Sequence, residues 1–267
     1  MTVGGYEFLT IEKSEGVLTL TLNRPDRLNA IHAGAHAELE HAWLEIAAED
    51  SVRAVVFTGA GKAFSAGGDV KRMAERAGTE EGLRYSLKVT ASGRRLFQNM
   101  LEVPQPIVCA VNGDAIGLGA TLALFSDITV IAESARLGDT HVKVGLVAGD
   151  GGAVIWPLLV GPQRAKEFLM RGRLVTGAEA REMGLVNYAL PESEVMPRAL
   201  ALARELAAMP VWAVQWTKLS INKWLKDQIN LVLDASLAYE ALSMQTHDHA
   251  EAARAFLEKR RPAFRGF

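Results

Sequence analysis

The chain has 267 residues, 49% of them apolar and 22% charged, enough for a sizeable core in one large domain or one domain with an appendage. A net charge of −2 offers no footprint for nucleic acid or another polyanion, and the single Cys109 excludes an intrachain disulfide and a cysteine-rich zinc site. The apolar runs fall short of the roughly 18 residues a membrane span needs, and MTVGGYEFLTIEK lacks a basic-then-apolar leader pattern, so a cytoplasmic protein is expected.

In chain order, VLTLTLNRP (17–25) alternates Leu and Thr and stops at Pro25, which predicts a strand with TIEK before it as hairpin partner. Ile31, Leu39, Trp43, Leu44 and Ala47 recur at helical spacing up to Asp50. RAVVFTG (53–59) reads as a short buried strand and GKAFSAGGD (61–69) as a glycine-rich loop. Val70 to Val103 reads as helix, broken near Gly78 and closed by P-Q-P at 104–106. PIVCAVNG (106–113) is a strand with Cys109 as a small core residue; GLGATLALFSD (117–127) is a glycine-led helix and ITVIAE (128–133) a further strand. Beyond 153 come VIWPLLVG, then PQRAKEFLM with proline at a helix start, then LVTGAEAREMG, where Thr176 and Glu179 have capping-box spacing. From Glu192 the pattern is helical almost to the end. Strand, strand, helix recurs, which predicts a coiled β-β-α architecture with a helical C-terminal section.

AFSAGGD and NGDAIGLGA place small residues where a strand hands over to a helix or turn. Backbone N–H groups there are free and closely approachable, and a helix led by Gly117 adds a positive partial charge. Facing each other, the two segments would make an oxyanion hole; separately they are tight turns. Neither has the spacing of a phosphate loop or a dinucleotide fingerprint.

TGAGK with AFSAGGDVKRM, PIVCAVNGDAIGLGATLALFSDITVIAESARLG, NRPDRLNAI, TGAEAREMGLVN and FLEKRRPAF run in order over essentially the whole chain. Together they resemble the crotonase (enoyl-CoA hydratase/isomerase) superfamily. The resemblance implies an α/β fold, a spiral of ββα units over 1–195, with a C-terminal helical region, 196–267, that mediates assembly into a trimer or a dimer of trimers. It implies an acyl-CoA substrate, coenzyme A entering only as part of that substrate, with no metal and no nucleic-acid or membrane partner. The thioester oxygen is then expected between the N–H groups of Gly68 and Leu118. The coenzyme A portion is expected against Arg27, Leu28, Ala30, Ala66, Asp69, Val70 and Lys71, with Phe264 or nearby basic residues of a neighbouring subunit closing over it.

The departures from the family pattern matter for chemistry. Hydratases of this superfamily use two glutamates, and the corresponding positions here are Thr121 and His141. Leu118 replaces the glycine usual at the second amide donor. His141, with an ordinary pKa of about 6.5, is the expected general acid or base. Asp150, nine residues on, is expected to accept its Nδ1–H once the chain reverses at Gly145 or the AGDGG run; otherwise Asp150 caps the helix that follows. Asp139 and Thr140 either position a water or cap a turn, the turn being favoured, and Thr121 binds either a water or its own backbone.

Other clusters have plain readings. His32, His36 and Glu40 read as a solvated helix face rather than a metal site, and HDH (247–249) as a surface cap. Trp212, Trp216 and Trp224 suit subunit packing, and KRR (259–261) faces coenzyme A phosphates or solvent. The functional expectation is an enzyme that acts on an acyl-CoA thioester through an enolate, enoyl-CoA hydratase/isomerase-like, with a His–Asp acid–base pair. Hydrolytic C–C cleavage of a β-dicarbonyl is the rival, since the His–Asp segment is similar to the β-diketone hydrolase branch. A non-catalytic acyl-CoA binder is the third reading.

Overall fold

A computed structural model describes residues 5–267. The expected hairpin is β1 (Leu9–Ser14) with β2 (Val17–Leu22), joined through Glu15 and Gly16, both at positive φ. Helix α1 (Ala33–Ala47) buries Leu39 and Trp43 as expected, but its buried stripe continues through Ile46, and Leu44, expected in it, is exposed. There follow β3 (Ala54–Gly59), β4 (Ala63–Ser65), α2 (Val70–Arg76) and α3 (Glu80–Glu102), the helices parting around Gly78 as expected. Next come β5 (Ile107–Val111), β6 (Asp114–Ile116), α4 (Leu118–Phe125), β7 (Ile128–Ala132) and β8 (Arg136–Gly138). Helices α5 (Gly152–Val160) and α6 (Pro162–Arg171) precede β9 (Val175–Thr176), α7 (Gly177–Glu182) and β10 (Tyr188–Leu190). The chain ends with α8 (Glu192–Ala208), α9 (Val211–Ser243) and α10 (His247–Leu257).

The strands sort into two sheets. One has the order β1-β2-β3-β5-β7-β10, the other β4-β6-β8-β9. Successive pairs β3/β4, β5/β6 and β7/β8 each give one strand to each sheet before the chain turns into helix. That alternation is the spiral of ββα units. In the larger sheet β2, β3, β5, β7 and β10 pair in parallel. Sheets of that kind are covered on both faces, hence the continuously buried β3 and β5. The short strands β4, β6 and β8 were not separable from loop in the sequence, because three residues carry no periodicity.

Helix α8 packs on β3, β5 and β7, so the layer covering the sheet extends through the expected boundary at 195/196 to Ala208. Helix α9 packs along α3, and Gly93 lets them close: a Cβ there would sit 2.8 Å from Leu237. Lys218 of α9 is buried and ties it to the sheet through Asp127 (2.6 Å) and the Gln105 carbonyl (2.8 Å). Trp43, Phe57 and Phe64 meet edge to face in the core. The Thr176/Glu179 capping box forms as the spacing predicts.

Helix α4 is seated on β4 by Gly119, where a Cβ would lie 2.6 Å from Ser65 Cβ and 2.9 Å from its carbonyl oxygen. Gly119→Ala is therefore expected to cost about 1–3 kcal/mol, read as a lowered midpoint of thermal unfolding.

Candidate active site

The two glycine segments meet. Gly67, at φ +79°, lies against Ile116 and Gly117, so the loop before α2 touches the start of α4. Leu118 is the first residue of α4, where N–H groups have no acceptor within the helix. In the other loop Ala66 N donates to Leu28 O and Gly67 N to Ser65 Oγ, while Gly68 N donates to no group among the described residues. Gly68 and Leu118 both line a cavity of about 930 Å³, its open mouth included, which also contains His141, Asp150 and Glu240. Its remaining wall is mostly apolar, with Val89, Phe97, Leu237 and Met244 among the contributors. The Leu118 side chain is buried as well.

His141 opens a short 3-10 helix (His141–Val144), and Gly145 at φ +69° turns the chain back toward α5. The imidazole lies beside the amide segment: a Cβ on Gly117 would be 3.5 Å from His141 Cε1. Its Nδ1–H is taken by Asp139 Oδ1 at 2.7 Å, and the same oxygen accepts the His141 backbone N–H at 3.0 Å. Asp150 Oδ2 faces the other ring nitrogen, Nε2, at 3.2 Å. Two expectations are corrected here. Asp139, read as a turn cap, is also the Nδ1 partner; Asp150, assigned to Nδ1, stands at Nε2. Nor does Asp150 cap the next helix, since Gly151 occupies that position at φ +98° without a side-chain cap.

Burial alone would lower the pKa of His141, but the charges of Asp139 and Asp150 and the hydrogen bonds to them outweigh it and hold the ring well above 6.5. The imidazole is thus a buried cation clamped between two carboxylates. Asp139, His141 and Asp150 are close enough together to suggest a metal site. Each ring nitrogen is already paired with its own carboxylate, on opposite edges of the ring, which is the geometry of a hydrogen-bonded relay rather than of a chelate.

Sequence reading missed Glu240. It sits on α9, fully within the buried stripe Ile229, Leu233, Ser236, Leu237. An acid in that stripe is the signal that could have found it. Burial pushes its carboxyl up to about 8, helped by the negative charges of Asp150 and Asp139 and opposed by His141. Its Oε2 has no partner among the described residues. The loop bearing Asp150 is pinned to the same helix by Ser236 Oγ donating to Gly149 O at 2.8 Å. Only glycine fits at 149, for a Cβ there would be 2.7 Å from Glu240 Oε2. Thr121 bonds its own helix at Gly117 O (3.3 Å) and stands behind Asp150, its Oγ1 3.5 Å from Oδ1, outside the cavity wall.

A second, polar recess adjoins the first through Asp69 and Arg72, which line both. It is walled by Arg24, Arg27, Lys71 and Arg72 with Asp69 and Glu75. Leu28, which follows Arg27, is exposed, with Asn29 at positive φ beside it and Ala30 O accepting from Arg24. Val70 opens α2, with Asp69 as N-cap accepting from Arg72 N. Phe264 is exposed on the C-terminal tail and lines neither recess within this chain.

The other histidines diverge. His32 caps α1 and His36 pairs with Glu40 at 3.0 Å, which in turn holds Arg95; both rings also line the cavity. His249 is not a surface cap: it is buried, lines the same cavity as His141, and leaves capping of α10 to Thr246.

A family model described as enoyl-CoA hydratase/isomerase matches residues 12–266. The 1,2-epoxyphenylacetyl-CoA isomerase of Escherichia coli K12 is 34% identical over 261 residues, covering 97% of this chain and 99% of that one. Among solved structures, an enoyl-CoA hydratase/isomerase from Mycobacterium paratuberculosis superposes with TM-score 0.87 at 37% identity, over 92% of this chain and 97% of its own. ABDH, a β-diketone hydrolase from the cyanobacterium Anabaena sp. PCC 7120 bound to (S)-3-oxocyclohexyl acetic acid, superposes with TM-score 0.82 at 30% identity, over 90% and 95%.

The raised Glu240 pKa has a definite sign for stability. Unfolded, this carboxyl loses its proton near 4.5; folded, it keeps it to about 8. Its contribution is fully present below 4.5 and is lost as pH rises from 4.5 to about 8. Thermal unfolding of wild type and E240Q across that window is expected to shift steadily in favour of the glutamine variant, with no further change above it.

Proposed function

The chain belongs to the enoyl-CoA hydratase/isomerase family, and from that premise we propose that it moves protons on an acyl-CoA thioester through an enolate, with Asp150 as base and Glu240 as acid. The observation that carries this reading is one cavity holding a carboxylate on an imidazolium, a protonated carboxyl, and the amides of Gly68 and Leu118. An enolate reaction needs a group that takes a proton and one that gives it back. His141 is poorly suited to take one: both ring nitrogens are engaged and the ring is already charged. It positions Asp150 instead, and the glutamates absent at 121 and 141 are replaced by carboxyls at 150 and 240.

In this scheme the thioester oxygen takes the Gly68 and Leu118 N–H groups, each donor contributing about 2.7–4 kcal/mol as charge builds on it. Asp150 removes a proton from the acyl chain, or from a water that adds to an enoyl double bond. Glu240, protonated at neutral pH, delivers one to carbon. The first route shifts a double bond; the second hydrates it. The basic recess suits the phosphates of coenzyme A, with Arg24, Arg27, Lys71 and Arg72 available to them and Leu28 an apolar surface beside them. The exposed Trp212, Trp216 and Trp224 of α9 support assembly of copies through the helical region, as in the expected trimer or dimer of trimers.

Hydrolytic cleavage of a β-dicarbonyl is the second reading, favoured by the Asp139–His141–Asp150 line and by the likeness to the Anabaena β-diketone hydrolase. There a water activated at Asp150 would attack a carbonyl, and an enolate would leave. A free diketone, however, makes no use of the basic recess.

Incubation with a panel of enoyl-CoA thioesters, β-ketoacyl-CoA thioesters and free β-diketones, followed by mass detection, is expected to give isomers or water adducts of the enoyl thioesters. Cleavage of free diketones with inert enoyl thioesters would overturn the proposal in favour of the second reading. On the productive thioester, E240Q is expected to lower kcat by about 10²–10⁴-fold with KM little changed. Wild-type kcat is expected to fall as pH rises through about 8, where Glu240 loses its proton.

A further inference from the structure

Beyond the acid–base groups, the acyl cavity is lined by further polar side chains: His32, His36 and Arg76 are engaged in the α1 cap, with Glu40 and with Glu81, which leaves Tyr85 of α3 and His249 of α10. Both line the cavity, and α2 packs against α3 and α10 alike. Arg76 of α2 lies over the Tyr85 ring at 4.6 Å, and Gln245 Nε2 donates to Ser86 Oγ at 3.0 Å, tying the chain before α10 to the residue next to Tyr85. Arg76 itself is held by Glu81 at 2.9 Å, so its charge is already answered.

The Tyr85 hydroxyl makes no hydrogen bond with any described residue; the side chain is half-buried, and that burial raises its pKa. It is a neutral O–H donor facing a cavity. His249 is held by Nδ1 against the Val144 carbonyl at 2.7 Å, which makes Nδ1 the protonated nitrogen and leaves Nε2 as a lone-pair acceptor without a protein partner. Burial lowers its pKa and keeps the ring neutral. One wall of the pocket thus offers a donor and an acceptor. A hydrocarbon acyl group would strand both, at the cost of two desolvated polar groups.

We propose that Tyr85 and His249 form an oxygen-recognition site that selects acyl groups bearing a hydroxyl beyond the reacting carbons over plain hydrocarbon acyl groups. The substrate oxygen accepts from Tyr85 Oη–H, and the substrate O–H donates to His249 Nε2. This rests on the acyl-CoA reading and deepens it by naming a substrate class.

The test compares kcat/KM for 2-octenoyl-CoA and for its monohydroxylated congeners, the hydroxyl placed at successive carbons beyond the double bond. Wild type is expected to prefer one congener over the parent by about tenfold or more, because a site built to bond a substrate hydroxyl rejects the analogue lacking it. Y85F, which keeps the ring under Arg76, is expected to cut that preference about threefold to tenfold. H249F is the second variant and is expected to reduce the same ratio. A wild type that favours the parent thioester, or variants that lower both rates equally, would overturn the inference while leaving the acyl-CoA reading intact. A wild type inert toward all of these thioesters would overturn the acyl-CoA reading and this inference with it.

Discussion

One positive charge held among three buried carboxyl groups is the constraint on which the rest of the site depends. Two of these groups, Asp139 and Asp150, face the two edges of the His141 ring, and the third, Glu240, is pushed up to about 8 by burial, with the charges of Asp150 and Asp139 adding to it. Removing a carboxylate from water costs several kcal/mol unless it is paired and hydrogen-bonded. The fold therefore has to deliver the 139–150 loop and α9 to one place with little tolerance. It does so with glycine at 149, which leaves room for Glu240, and with the bond from Ser236 to Gly149, which locks helix to loop.

The meeting of the two glycine segments is set by a separate device. Gly67 adopts a backbone conformation that brings its loop onto Ile116 and Gly117, and Gly119 seats α4 against β4. The second amide belongs to the first residue of a helix, and that is why leucine at 118 keeps the N–H in place. What the side chain changes is the shape of the cavity wall.

Much of this was legible in the sequence. The long elements declared themselves through periodicity in α1 and through turn residues at Gly78 and Pro104–Pro106. The glycine segments and the pairing of His141 with Asp150 were visible from spacing and from the family register. Three things were not. The strands β4, β6 and β8 are too short to have a period. Asp139 looked like a turn cap because it is one: the oxygen that takes the His141 ring also takes its backbone N–H. Glu240 and His249 lie about a hundred residues beyond His141, and only the packing of α9 and α10 brings them to the cavity.

That distance along the chain has a consequence for synthesis. A ribosome releases both amide segments, the imidazole and its two carboxylates well before it releases α9 and α10. Until those helices dock, the space around His141 lacks the wall supplied by Leu237, Glu240, Met244 and His249 and stands open to water. The dry environment that holds a proton on Glu240 is then created by the same packing event that brings Glu240 in. In the proposed scheme, a chain that lacks α9 and α10 therefore lacks both the acid at 240 and the wall that shelters it.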